Sequence, residues 1–200
     1  MTSILNLNPG PGNTPLDADE VAQLIPSLAT KGELDEWERR NILEAYQWTL
    51  HPRRIAQCDP LAENYLRELH ERMFNRTWKW AGMYRNTEKN IGVLAHEIRN
   101  RIPALLGNGR YWINHQTFPE DEIAIRFHYE LVGVIHPFPN GNGRHARLHA
   151  DVLAVKLGRP EFTWGRNRIA GAGPTREAYI NALHAADGGD LQPLLQFARS

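Results

Sequence analysis

Two stripes of apolar residues at helical spacing are joined by one short polar loop. Ile123, Phe127, Leu131 and Val134 form the first stripe, and Ala146, Ala150, Leu153 and Leu157 the second. The first stripe runs directly into His136, so the chain must pass from one helix into the next through His136-Pro137-Phe138-Pro139-Asn140-Gly141-Asn142-Gly143-Arg144-His145-Ala146-Arg147. Gly141 and Gly143 lack a Cβ, so backbone N–H groups there can approach an anion closely. The helix starting at this point adds its positive dipole end. Arg144 and Arg147 are spaced i, i+3 and share a face, where guanidinium forks suit phosphate oxygens. His136, just before the turn, is the side chain best suited to exchange a proton near neutral pH. Asn140 and Asn142 offer side-chain amides. Singly, these pieces are a turn, a loop and a solvated helix face, and Phe138 is a core anchor. Together they can hold a polyphosphate at a helix N-terminus and deprotonate a nucleophile beside it.

The rest of the chain also reads as helix. Residues 1–15 form a loose arm with a Pro9-Gly10-Pro11-Gly12 turn, and Asp17 to Ile25 a short helix. Leu34 to Leu50 is a stronger helix, with Trp37, Ile42, Tyr46 and Leu50 leaning to one side. Asp59 is expected to cap a helix with Pro60 at its first position, carrying Ala62, Leu66, Leu69 and Met73 and ending near Phe74. An aromatic turn, Trp78 to Tyr84, precedes a polar segment from Arg85 to Val93 that reads as a short hairpin or loop. Pro103 is expected to open a helix reaching His115. Thr117-Phe118-Pro119-Glu120 reads as a capping box. Gly158 and Pro160 stop the helix after the signature loop. Thr175 to Leu183 and Gln192 to Ala198 are two final helices. With no sustained strand alternation, the expected fold class is all-α with one small β-hairpin. The expected division is an arm and helical extension over residues 1–58 and one domain over residues 59–200.

Composition narrows the function. Of 200 residues, 23 are Lys or Arg and 23 are Asp or Glu, so the balanced charge argues against a generally basic nucleic-acid binder while permitting a local basic pocket. Cys58 is the one cysteine, which excludes an intrachain disulfide and makes the cytoplasm the expected compartment. No stretch reaches the roughly 20 apolar residues needed to cross a bilayer, and the start is not that of a secretory signal. No membrane association and no direct nucleic-acid binding are expected.

The segment from His136 to Arg147 resembles the signature of Fic-domain proteins, His-Pro-Phe-x-(Asp/Glu)-Gly-Asn-Gly-Arg-x-x-Arg, at every fixed position except Asn140, where the family has an acid. Leu69-His70-Glu71-Arg72-Met73-Phe74 and Trp78-Lys79-Trp80-Ala81-Gly82-Met83-Tyr84-Arg85 are similar to the helix and turn leading into the family's flap. Thr87-Glu88-Lys89-Asn90-Ile91-Gly92-Val93 and Gly32-Glu33-Leu34-Asp35-Glu36-Trp37-Glu38 further resemble the subgroup called mobile mystery protein B.

The resemblance implies transfer of AMP from ATP to a Ser, Thr or Tyr hydroxyl of a target protein. His136 would be the general base. Gly141, Asn142 and Gly143 would cradle the phosphates, Arg144 would hold the β-phosphate, and Arg147 would reach the γ-phosphate. His136, Asn142 and Arg144 are thus the expected catalytic residues. Mg²⁺ is the expected metal, with Asn140 as a weakened ligand that keeps a carbonyl oxygen but lacks charge. Asn90, Ile91, Gly92 and Val93 would clamp the target as an added strand. Tyr179 and Asn181 lie where the family lines its base pocket. Many relatives are silenced by a glutamate in a (Ser/Thr)-x-x-x-Glu-(Gly/Asn) helix. The nearest stretch is Asn41-Ile42-Leu43-Glu44-Ala45, which makes Glu44, paired with Arg147, the candidate inhibitory residue. The subgroup resemblance implies a helix-turn-helix antitoxin-like partner.

Four rival readings stand beside this one. A catalytically weak protein acting as a toxin–antitoxin partner follows if Asn140 fails, and a transferase using another nucleotide is a second. A zinc module would use His145 and His149, spaced i, i+4, but two histidines on an exposed helix face is the preferred reading. Family members acting as kinases carry Lys at the position of Gly143, which speaks against phosphate transfer.

Overall fold

The computed structural model describes residues 14–165 and 172–200. The first 13 residues of the expected arm, with the Pro9–Gly12 turn, lie outside them. The chain forms α1 (Ala18–Val21), α2 (Lys31–Thr49), α3 (Pro52–Gln57), α4 (Glu63–Phe74), α5 (Ile98–Asn114), α6 (Glu120–Tyr129), α7 (Asn142–Lys156), α8 (Ala172–Asp187) and α9 (Gln192–Arg199). A π-helical turn, Glu130–Ile135, continues α6 to the signature loop.

α7 organises the fold because it is apolar on two sides. Ala146, Ala150 and Leu153 enter one core with Ile98, Ile102, Phe127, Leu131 and Leu194. Leu148 and Val152 enter a second with Leu69, Met73, Phe74 and Trp78. Burial of such aliphatic and aromatic side chains contributes roughly 1.5–3 kcal/mol each, so the helix carrying the loop is held from both flanks. His145 and His149 are consequently fully buried, not on an exposed face as expected. His145 Nε2 bonds the Leu66 carbonyl at 2.9 Å, and His149 stacks on Phe127.

Several helix starts differ from expectation. α4 begins at Glu63, because Asp59 Oδ1 accepts from Leu61 N–H at 3.0 Å and holds a turn rather than a cap. α5 starts at Ile98, so Pro103 sits inside it. Proline there removes one rung of the helical ladder. α6 is capped by Pro119 without a side-chain bond, because Thr117 N–H is drawn back to the Trp112 carbonyl at 3.0 Å. α2 starts earlier than expected, where Thr30 and Glu33 exchange bonds in a capping box.

The inward face of α2 is also not the expected one. Leu34, Glu38, Asn41, Ala45 and Thr49 are buried, while Trp37 is exposed. Asn41 explains the rotation, since its amide donates to the Arg72 carbonyl at 2.9 Å and accepts from Arg76 N–H at 3.0 Å.

The expected hairpin is absent: the described residues contain only an isolated bridge between Leu24 and Trp78. The buried Arg85 side chain is the reason. Its guanidinium donates to the carbonyls of Thr87, at 2.9 Å, and Val93. These acceptors face the arginine, so the segment curls around a cation instead of pairing with itself.

Candidate active site

The π turn and the left-handed residue that follows it place His136, the candidate base. His136 has φ 52° and ψ 61°, a conformation costing roughly 1–3 kcal/mol for a non-glycine residue. Its Nδ1 lies 2.9 Å from the Val132 carbonyl. A carbonyl only accepts, so Nδ1 carries the hydrogen and Nε2 presents a lone pair. Burial lowers the His136 pKa to about 4, with nearby Arg85 and Lys89 adding to the effect and the Val132 bond opposing it. The ring is therefore neutral and able to accept a proton at physiological pH. A hydroxyl already sits on it, with Thr14 Oγ1 2.8 Å from Nε2.

The loop itself is held rigid. Asn142 accepts from Phe138 N–H at 2.9 Å and donates to the Phe138 carbonyl at 2.8 Å. Its side chain is thereby committed to the loop and contributes shape, while its backbone N–H remains at the helix start. His70 accepts from Gly82 N–H at 2.9 Å, so its other nitrogen donates to the Asn140 carbonyl at 3.1 Å, and its ring stacks on Phe138 at 3.7 Å. Gly141 has φ +77°, and a Cβ there would fall 2.4 Å from Phe74 Cζ. At Gly143 a Cβ would meet nothing nearer than 3.7 Å, so that glycine leaves room rather than relieving a clash. The first bond of α7 runs from His145 N–H to the Gly141 carbonyl. The N–H groups of Asn142, Gly143 and Arg144 precede it and have no intrahelical acceptor.

The two arginines have different neighbours. Arg147 lies over the Tyr179 ring, 5.1 Å from its centroid, and Tyr179 bonds His128 through its hydroxyl at 3.0 Å. Arg144 is ion-paired with Glu38, whose second oxygen accepts from Trp78 Nε1 at 2.7 Å. Glu44, expected to be inhibitory, lies elsewhere: it pairs with Arg76 at 2.7 Å on the surface. The helix expected to supply a glutamate does so, but from the buried Glu38 and to the first arginine. Sequence reasoning missed Glu38, although the buried indole N–H of Trp78 required an acceptor.

Asn140 does not fit the role of metal ligand in this arrangement. Its carbonyl oxygen accepts from Gly141 N–H at 2.6 Å and from Arg144 at 3.3 Å. Two donors converge where a cation would have to sit. Its amide nitrogen donates to the Thr14 carbonyl at 3.1 Å.

Of the flap residues, Gly92 comes closest to the base, since a Cβ there would lie 2.6 Å from His136 Cβ. Arg85 Nε donates to the His136 carbonyl at 2.8 Å and so ties the flap to the base. Ile91 lines the cleft, while Asn90 is exposed and Val93 packs on the first core. Asn181 is exposed. His136, Asn140, Gly141, Asn142, Gly143, Arg144, Arg147 and Tyr179 all line one cleft of about 1020 Å³, which Thr14, Leu34, Asp35 and Glu38 also line.

Comparison with known proteins agrees with this architecture. The model of the Fic/DOC family matches residues 60–154. The protein adenylyltransferase fic-1 of Caenorhabditis briggsae is 30% identical over 156 residues, covering 72% of this chain and 29% of its own length. The chain therefore spans less than a third of that relative. A fragment of Fic-1 from C. elegans superposes with TM-score 0.62 at 25% identity, over 81% of this chain and 48% of that one. The Bartonella tribocorum effector BepC, with bound AMPPNP, gives TM-score 0.65 at 20% identity, over 86% of this chain and 88% of that one.

Proposed function

We propose, from the match of the Fic/DOC family model to residues 60–154, that this chain carries a Fic-type domain and is a protein adenylyltransferase moving AMP from ATP to a Ser, Thr or Tyr hydroxyl of a target protein. The observation that carries the reading is His136 Nε2, fixed as an acceptor by the Val132 carbonyl, beside the start of α7 in one cleft. Nε2 takes the proton of the incoming hydroxyl, and its oxygen attacks the α-phosphorus. The bond from that phosphorus to the bridging oxygen breaks, and pyrophosphate leaves. The N–H groups of Asn142, Gly143 and Arg144 face the charge that develops. Arg144 serves the β-phosphate once Glu38 releases it, and Arg147 the γ-phosphate. Tyr179 backs Arg147 and borders the nucleotide. The flap from Asn90 to Val93 would grip the target beside the base. It would do so as a curled segment rather than an added strand. The relative that binds an ATP analogue supports ATP as the donor. Mg²⁺ belongs to the proposal only as the ion that accompanies ATP, because Asn140 offers it no suitable oxygen.

Residues 59–200 are taken as the domain and 1–58 as its arm and extension. Resemblance within Thr87–Val93 and Gly32–Glu38 supports the mobile mystery protein B subgroup and, with it, a helix-turn-helix antitoxin-like partner. Among the described residues no helix is long and apolar enough to cross a membrane, and the single cysteine supports a cytoplasmic location. The Glu38–Arg144 pair favours a second, compatible reading in which the enzyme rests in a weakly active state.

The test is incubation of wild type and His136→Ala with α-³²P-ATP and Mg²⁺ in bacterial lysate, read by gel autoradiography. Label on protein bands with wild type alone is the expected result. Equal labelling by both would overturn the proposal.

A further inference from the structure

The hydroxyl on the base belongs to the chain's own arm. From this we infer that Thr14 is an in-chain acceptor, adenylylated in cis by the cleft it enters. The inference rests on the adenylyltransferase reading and adds its substrate.

The first observation is the proton path. Nδ1 of His136 carries the hydrogen toward Val132, so Thr14 Oγ1 must be the donor in the 2.8 Å bond to Nε2. A nucleophilic hydroxyl needs this relation to a general base before it attacks, within about 2.6–3.2 Å. Thr14 shares the cleft with Gly141, Asn142, Gly143 and Arg144. An α-phosphate seated at the start of α7 would therefore be next to this oxygen.

The second observation is that the arm is gripped on both sides of the Thr14–Pro15 peptide. Asn140 Nδ2 donates to the Thr14 carbonyl at 3.1 Å, and Lys89 Nζ to the Pro15 carbonyl at 3.2 Å. Lys89 also binds Asp17 at 2.9 Å and Glu20 at 2.6 Å, with only 1% of its side chain exposed. Thr87 Oγ1 donates to Asp17 at 2.7 Å. These bonds from Thr87 and Lys89 hold the Asp17 carboxyl below its ordinary range. The flap thus holds the arm through a buried ammonium.

The third observation explains the departure from the family signature. A carboxylate at position 140 could not donate to the Thr14 carbonyl and would repel it. An amide donates to that carbonyl while its oxygen still accepts from Gly141 N–H. Asn140 is in this sense a residue that positions the arm.

The step balances without any further reactant. Thr14 Oγ bonds to the α-phosphorus of ATP, its proton passes to His136 Nε2, and pyrophosphate departs with the bridging oxygen. The product is a phosphodiester linking Thr14 to adenosine.

The test incubates the full chain with ATP and Mg²⁺, with and without lysate, and maps the tryptic peptide ending at Lys31 by tandem mass spectrometry. The expected result is one AMP on Thr14 in wild type, none in Thr14→Val or His136→Ala, and its return in Thr14→Ser. The rate per molecule should be unchanged on dilution, as a reaction in cis requires. AMP on this chain that survives Thr14→Val, or a rate per molecule that falls on dilution, overturns the inference. Lysate proteins labelled in a His136-dependent way while Thr14 stays unmodified overturns the inference and leaves the transferase reading standing. No label on any protein removes both.

Discussion

The loop from His136 to Arg147 and the N-terminal stretch from Thr14 to Thr49 face each other across one cleft, but they are built by different rules. The loop is self-contained. Asn142 closes it on Phe138, Gly141 makes room for Phe74, and the Val132 carbonyl sets the tautomer of His136. The partners that set its shape lie within a few residues or on a neighbouring core helix, while Asn140 and Arg144 also reach Thr14 and Glu38. The N-terminal stretch has little internal logic at the site. Thr14 acquires meaning only from a histidine 122 residues away, and Glu38 from an arginine 106 residues away. On the proposed reading, chemistry is concentrated in the local element, and access to that chemistry in the distant one. Variants in the loop should therefore abolish function or stability, whereas variants in the stretch should tune it.

The largest effect expected is from the loop's base. His136→Ala should lower nucleotidyl transfer by roughly 10²–10⁴-fold, the ordinary contribution of a positioned general base, in the labelling assay above. A loss under tenfold would place the proton acceptor elsewhere.

Next is a pair of glycines two residues apart. Gly141→Ala puts a methyl group 2.4 Å from Phe74 and strains a φ of +77°. It should cost about 1–3 kcal/mol in urea unfolding. Gly143→Ala is a helical position with only ordinary contacts and should be neutral or stabilise by up to about 1 kcal/mol. Equal losses at both positions would show that the loop is not braced as described.

The third contrast lies on α2. Glu38→Gln keeps an acceptor for Trp78 and removes the charge holding Arg144. Charge-assisted bonds are worth roughly 1.5–3 kcal/mol, and Arg144 is about a third exposed. Discounted for solvent screening, release of Arg144 should tighten binding of a non-hydrolysable ATP analogue by about tenfold, measured by calorimetry. Glu44→Gln breaks only an exposed pair with Arg76 and should change binding by less than about twofold. If Glu44→Gln were the stronger variant, the division of roles along α2 would be reversed.

How much was legible in the sequence follows the same line. The course of the chain from α6 through the loop of His136 to Arg147 into α7 could be read because spacing alone brings those residues together. Ile123, Phe127 and Leu131 and the stop at Gly158 were visible for the same reason, but Val134 was not part of the core, because the π turn brings Val132 and Ile135 inward instead. The flap's curled form was not, because Arg85 gives no local sign that it will take the carbonyls of Thr87 and Val93. The inward face of α2 was misjudged because hydrophobicity was used to find it. That face is set by Glu38 and Asn41, whose partners Trp78, Arg72 and Arg76 lie on or just after α4. The burial of His145 and His149 was missed because α7 serves two cores, which only the packing of α4 against it makes apparent.

The smallest effect separates the environment of the base from that of an exposed histidine. Burial pushes His136 from 6.5 to about 4, and His70 and His128, both fully buried, to about 3. A free histidine would lose half its basic form near pH 6.5. Here the neutral ring persists, so the rate assigned to His136 should stay level as pH falls from neutral toward about 5, and then decline toward 4. Stability, unlike the rate, should already fall over that window. Each of these groups binds fewer protons folded than unfolded between its lowered pKa and 6.5, so protonation favours the unfolded chain, and the urea midpoint should fall as pH drops below 6.5. NMR titration of the His136 ring, with urea melts at matched pH, checks both. A ring titrating near 6.5 while Thr14 is in place would mean that the arm does not seal the base from water.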